Sequence, residues 1–405
     1  MKKILLCSIV LLASALVYGQ TSDMVSLGAG YANESFYSFE NGEVANVDNQ
    51  NWHLAFVVNG IGFGATIRLN RKQAELYYPE LQAADWGTTI DTNGQFSVWD
   101  QHINGYDSWS EGAMNAAADI SNPNDLGWGV YNSSNHHVTG SKIFVLKFTG
   151  GVCKKIVIES LAAGVFSFKH ADLNGSNEVA QTITKSDYSD RNFAYYNALS
   201  NTLSDREPSN DSWDVVFTNY ILELAPSYYA GVTGALHNAG VTVSEISGVP
   251  VATSTYNTWD PTISTIGYDW KSFDFGTFSY NMVDSLSYFV QSESGDIWKL
   301  IFTDFEGSSN GNIHFTKQQV EYAGIPVFEG ANLEVYPNPA SSVLHINYAH
   351  DVKNVSITDM NGQLVLEDTM NLSSIDVSSL QEGIYLVRVQ SQSGQSSVKR
   401  IVIQH

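Results

Sequence analysis

The chain has 405 residues and a formal charge of −22, from 20 basic and 42 acidic side chains. Such an acidic surface repels phosphate backbones and anionic headgroups, which excludes nucleic acid and the membrane surface as partners and favours solubility. Hydrophobic residues make up 43% and aromatic residues 12%, enough for sizeable cores of half-buried pleated strands.

Met1-Lys2-Lys3 forms a short basic region, Ile4 to Val17 is apolar and uncharged, and Val17-Tyr18-Gly19 ends it with residues a signal peptidase reads. This pattern predicts a signal peptide over 1–19, cleaved before Gln20. The run is too short to span a bilayer, and no later run reaches about 18 apolar residues, so no transmembrane segment is expected. Cys7 lies within the apolar run and not at the cleavage point, which argues against a lipid anchor. Signal removal leaves Cys153 as the one remaining cysteine, so core burial rather than a disulfide must hold the fold.

From here the chain repeats itself. Phe36-Tyr37-Ser38-Phe39, Trp52-His53-Leu54-Ala55-Phe56 and Gly105-Tyr106-Asp107-Ser108-Trp109 return as Phe193-Ala194-Tyr195-Tyr196, Trp213-Asp214-Val215-Val216-Phe217 and Gly267-Tyr268-Asp269-Trp270. The interval from Trp to Gly is 53 positions in the first half and 54 in the second. Each half then runs through a strand pair about a Gly or Ser-Gly-Asp turn, Ile143 to Ile158 and Tyr288 to Phe302. Each ends on an alternating strand, Gly164 to Phe168 and Gly311 to Phe315. Period-two runs between Gly, Asn, Asp and Ser turns predict an all-β chain. The expected units are 26–185, 188–325 and 333–405, with short helices only over Arg71 to Leu81 and Gly112 to Ala118.

The order of these motifs resembles the HmuY-like family of Bacteroidetes haem-binding proteins. The second half is the closer match; the first carries His53 where the family has Asp. The resemblance implies two all-β repeats and capture of haem by two axial side chains on loops. Haem iron takes imidazole or thioether ligands in an apolar, aromatic slot. The candidates are His137, in the polar loop Asn132 to Ser141, His237, in the Gly-rich stretch Gly234 to Gly240, and Met114 and Met282. Each also reads as an exposed loop histidine or a methionine filling a core gap. His53, flanked by Trp52 and Leu54 in a strand, reads as structural.

Signals for catalysis are thin. Gly307-Ser308-Ser309-Asn310-Gly311 fits G-x-S-x-G but lies in a hairpin turn, without the strand–turn–helix setting that a nucleophile elbow needs. Asp172 to Glu178 lacks the full calcium-loop pattern and reads as a solvated turn. No metal site and no enzyme are expected.

The last segment, Leu333 to His405, carries Tyr336-Pro337-Asn338-Pro339, then Gly383-Ile384-Tyr385-Leu386-Val387-Arg388-Val389, then Lys399-Arg400-Ile401-Val402-Ile403. It resembles the type A C-terminal sorting domain of the type IX secretion system. That implies an immunoglobulin-like β-sandwich, passage through the periplasm and across the outer membrane, and removal by a sorting peptidase. Its sorting residues would be Pro337, Asn338, Pro339, Gly383, Tyr385, Lys399 and Arg400, and its partners the type IX machinery and that peptidase. The expectation for the whole is a secreted or surface-displayed, non-catalytic ligand-capture protein, taking haem or another tetrapyrrole, free or from a haem protein. One alternative is an adhesion or glycan-binding module using Trp99, Trp109 and Trp259; another is a hydrolase with a cryptic site.

Overall fold

The computed structural model describes residues 19–320 apart from 63 and 227, and 333–405 apart from 348–351, 360–362, 369–372 and 392–395. The signal-peptide reading over 1–18 lies outside these residues. The chain divides into two compact units, with the boundary between Val320 and Glu321.

In the first unit the alternating runs become strands, and the two halves supply matching sets. The first set is β1 (Thr21–Ser26), β2 (Asn33–Ser38), β3 (Gly42–Asp48), β4 (Leu54–Val57), β5 (Ile67–Leu69), β6 (Ala74–Tyr78), β7 (Ile143–Phe148), β8 (Cys153–Ala162) and β9 (Val165–Asp172). The second set begins with β10 (Val179–Thr184), β11 (Phe193–Asn197), β12 (Thr202–Ser204), β13 (Val215–Ala225) and β14 (Tyr228–His237). It ends with β15 (Thr242–Ser247), β16 (Leu286–Gln291), β17 (Ile297–Phe305) and β18 (Asn312–Val320). Helix is limited to 3-10 turns among the described residues. Neither expected α-helix forms. Arg71 to Leu81 contains β6, because Leu76 and Ala74 face a core while Leu146 and Phe148 of β7 pair alongside them. Gly112 to Ala118 folds as consecutive turns closed by Asn115 and Ala116 amides on the Gly112 carbonyl.

The halves do not form separate sheets; they trade their first three strands. Strand β10 pairs with β9 in an outer sheet ordered β10-β9-β8-β7-β6, while β1 pairs with β18 in the other outer sheet, β1-β18-β17-β16-β15. The inner sheets follow the same rule, one ordered β12-β11-β4-β5 and the other β14-β13-β2-β3. Registers agree as well. Tyr37 pairs with Val215 as Tyr196 pairs with Leu54, and Phe36 with Val216 as Tyr195 with Ala55. Tyr37 and Tyr196 are both fully buried. Even the departure at His53 is functionally conservative: its Nδ1 accepts the Ala198 amide at 3.1 Å, just as Asp214 Oδ2 accepts the equivalent Phe39 amide at 2.7 Å. His53 is therefore neutral; burial holds its pKa down at about 4.

Four layers result. One core lies between the first outer and inner sheets, with Phe56, Phe166, Phe168 and Tyr196 at its centre. A second lies between the other pair, around Phe217, Trp270, Phe302 and Phe315. Each large side chain so buried contributes about 1.5–3 kcal/mol. The repeated Gly landmark has a steric reason in the second half. Gly267 (φ 55°) receives the Ala235 amide, and a Cβ on Gly234 would lie 2.0 Å from the Gly267 carbonyl oxygen.

The second unit is a sandwich of β19 (Glu334–Tyr336), β20 (Val343–Asn347), β21 (Val352–Asp359), β22 (Leu364–Asp368), β23 (Ser374–Asp376), β24 (Gly383–Ser391) and β25 (Ser396–Ile403). Its sheets run β19-β20-β23 and β22-β21-β24-β25, an immunoglobulin-like arrangement around Leu344, Val355, Ile357, Val387 and Ile401. Tyr385 near the start of β24 donates its hydroxyl to the Gln381 carbonyl at 2.9 Å, the tyrosine corner of such sandwiches. Asn338, between Pro337 and Pro339, donates to the Arg400 carbonyl at 3.2 Å and accepts the Val402 amide at 2.8 Å. The Ala340 amide continues this contact onto Val402 at 2.9 Å. Gly383 pairs with Ile403. The three sequence motifs of the tail thus meet along its last strand, with Lys399 and Arg400 exposed on it.

Candidate functional site

Between the two inner sheets lies a cavity of about 80 Å³, lined from both halves of the chain. Phe36, Val216 and Tyr220 come from β2 and β13, Phe193 and Tyr195 from β11, and Trp52, Trp109 and Trp213 from the adjoining loops. Alternation places these residues here: in β13, Val215 and Phe217 turn into the second core, while Val216 and Tyr220 turn out toward the facing sheet.

Charge is buried in the walls. Arg68 on β5 donates to the carbonyls of Ser108, Trp109, Glu111 and Gly105, the last at 2.9 Å. Its guanidinium lies 5.2 Å from both the Tyr106 and Trp109 ring centroids, which shapes the Gly105–Glu111 loop into one wall. Arg206, just beyond β12, pairs with Glu34 on β2 and so ties one inner sheet to the other. It also donates to the Asp48 carbonyl at 2.8 Å and lies over Tyr195 and Trp52. The second oxygen of Glu34 accepts the Thr218 hydroxyl at 3.1 Å.

Glu207 accepts the Asn192 and Phe193 amides at 3.2 and 3.0 Å and the Tyr195 hydroxyl at 3.2 Å. Burial nevertheless outweighs these donors and pushes its carboxyl up from 4.5 to about 7. The folded value exceeds the unfolded one, so the contribution to stability is complete below about pH 4.5 and is lost as pH rises through 7. Glu207→Gln should remove this slope. Between pH 5 and 8 the wild type is expected to lose about 2–3 kcal/mol relative to the variant, read from urea midpoints at both pH values. Parallel pH curves for the two proteins would contradict the assignment.

None of the four haem-ligand candidates lines this cavity. Met114 is fully buried in the first core, while Met282 packs against the second. His237 at the end of β14 is buried, with Nε2 at 2.7 Å from the Thr262 carbonyl and Nδ1 at 3.1 Å from that of Asn238. Burial lowers its pKa, while the two facing carbonyls act in the opposite direction. His137 sits in the hairpin Gly129–Asn132/His137–Gly140, paired with Asn132 on the edge of the first outer sheet. These residues do not fit an axial pair around haem. The three tryptophans weighed for glycan binding are also apart. Trp109 belongs to the cavity, whereas Trp99 and Trp259 pack in separate clusters. Gly307–Ser309 is the 3-10 turn between β17 and β18.

Sequence reading missed Glu34, Arg68, Arg206, Glu207 and Tyr220. One signal was available: the chain has six arginines, and Arg68, Arg71 and Arg206 gather around this one cavity.

Comparison with known proteins addresses the tail. Residues 334–404 match the family described as the secretion system C-terminal sorting domain. The chain therefore carries a type IX sorting domain, which implies export to the cell surface or medium and interaction with the type IX machinery. Beta-agarase D of Zobellia galactanivorans is 35% identical over 71 residues, 18% of this chain and 15% of that protein. Among solved structures, PorZ, a surface component of the Porphyromonas gingivalis type IX system, aligns over 76% of this chain and 50% of its own, at 11% identity and a TM-score of 0.17. Latent PorU of the same organism aligns over 84% of this chain and 31% of its own, at 11% identity and a TM-score of 0.14. The chain thus spans half or less of each of these relatives, and scores this low carry neither fold nor activity across.

Proposed function

We propose that the first unit is a non-catalytic capture module, displayed at the cell surface or released, which holds a small soluble ligand in the cavity between its inner sheets. On this reading a sorting peptidase removes the tail on arrival. The observation that carries it is the cavity itself: an aromatic pocket built jointly by both halves, with convergent polar groups in its walls. Both carboxylates there are already engaged, Glu34 by Arg206 and Thr218 and Glu207 by three donors, so neither is placed to activate water. Haem has no part in the proposal, because none of the four candidate axial ligands lines this cavity.

Thermal unfolding of the mature protein with a panel of neutral sugars, amino acids, amides and short carboxylates tests it. At least one class should raise Tm by about 5 °C at a hundredfold excess over Kd. Val216→Trp, which fills the cavity, should abolish that shift. A panel without effect, or a shift that survives Val216→Trp, refutes capture at this site.

A further inference from the structure

Donors without partners stand around the cavity, and this selects the ligand. Trp213 Nε1, the Tyr220 hydroxyl, Arg71 Nε and Arg206 Nε are buried without a hydrogen-bond partner among the described residues. Trp213 and Tyr220 are 4% and 5% exposed and both line the cavity, as does Arg71; Arg206 stands behind Glu34, Trp52 and Tyr195 in its wall. Trp52, the counterpart of Trp213 in the first half, shows what a purely structural indole does here: its Nε1 donates to Asn49 at 2.8 Å. Of these four open atoms the indole and guanidinium nitrogens only donate, and the Tyr220 hydroxyl can donate too.

Charge points in the same direction. In a chain of net charge −22, Arg68, Arg71, Lys72 and Arg206 surround this space, against Glu207, Glu34, which pairs with Arg206, and Glu75, which pairs with Arg71 at 3.1 Å. Among the described residues Arg68 has no carboxylate within ion-pair distance; its guanidinium is held by carbonyls and rings. An acidic exterior around a cationic pocket repels anions at long range and rewards one that is small enough to enter and pair.

Building on the capture reading, we infer that the ligand is a small carboxylate of about two to four carbons, its oxygens accepting from Trp213 and Tyr220 in the field of the surrounding arginines. A carboxylate offers about four lone-pair sites, so one group answers several open donors at once. The modest cavity, about 80 Å³, suits a ligand of this size, and Phe36 and Phe193 supply apolar lining for its carbon chain.

Acetate, propionate, lactate and succinate are titrated into the mature protein at constant ionic strength, beside acetamide, propionamide and inorganic phosphate. Tm and tryptophan fluorescence are the readouts. At least one carboxylate should bind saturably and at least tenfold more tightly than its amide, a difference of about 1.4 kcal/mol. Tyr220→Phe and Trp213→Phe, whose folding is checked by unligated Tm, should each weaken it about tenfold or more. Amides or sugars binding as well as the carboxylates would overturn the anion inference while leaving capture intact. Phosphate binding alone would overturn it too. Unchanged carboxylate affinity in both folded variants would show that the open donors are not the recognition groups.

Discussion

Glu34→Ala is expected to destabilise the first unit by about 3–5 kcal/mol, because it strands the Arg206 guanidinium in a wall where its side chain is 3% exposed. A surface pair would give less than about 1 kcal/mol. The lost carboxylate also leaves the Thr218 hydroxyl without its acceptor, and the tie between β2 and the chain beyond β12 disappears. Arg206→Met added to Glu34→Ala should restore part of the loss, since no uncompensated charge then remains. Urea unfolding read by tryptophan fluorescence isolates the effect, because all nine tryptophans lie between Trp52 and Trp298, within the first unit. A loss below 1 kcal/mol, or a double variant no better than the single one, would show that the pair is solvated in solution.

Deletion of Leu333 to His405 is expected to abolish surface display and leave the protein in the periplasm. The matched sorting domain accounts for almost all of that segment. Its three motifs converge on β25 through Asn338, Gly383 and Ala340, so the deletion removes one folded signal rather than separable peptides. Among the described residues, every strand in the first unit's sheets comes from that unit. The truncated protein should therefore accumulate folded, with an unchanged tryptophan unfolding midpoint. Cell fractionation and protease accessibility on intact cells measure the outcome. Normal display of the truncated chain would refute the sorting assignment.

Much of the fold was legible because its signals are local. Alternation opens Asn312–Val320, and Ile143–Phe148 is a short apolar run buried on both faces, so each could be read as a strand from its own residues. Repeat spacing brought Trp52 onto Trp213, and the pairing registers agree with that alignment. Arg71 to Leu81 misled because a short segment with mixed polarity suits either period, and pairing with β7 decided for strand. The haem candidates rest on residue type and local setting, neither of which says whether two side chains reach one space.

By itself, the sequence determined an all-β chain with two related halves and a separate sorting tail, because turns, alternation and a contiguous motif set are encoded within short windows. Tertiary structure alone decided which half each strand completes. Strand β2 joins β13 and β11 joins β4, and the partners that hold β2 there, such as Thr218 for Glu34 and Phe217 for Tyr37, lie outside any short window of sequence. That exchange creates the facing inner sheets, and with them the cavity. The burial of Glu34, Arg68, Arg206 and Glu207 follows from the same step. Desolvation is a property of what surrounds a charge, and the partners of Glu34, Arg206 and Thr218, lie more than a hundred positions from it.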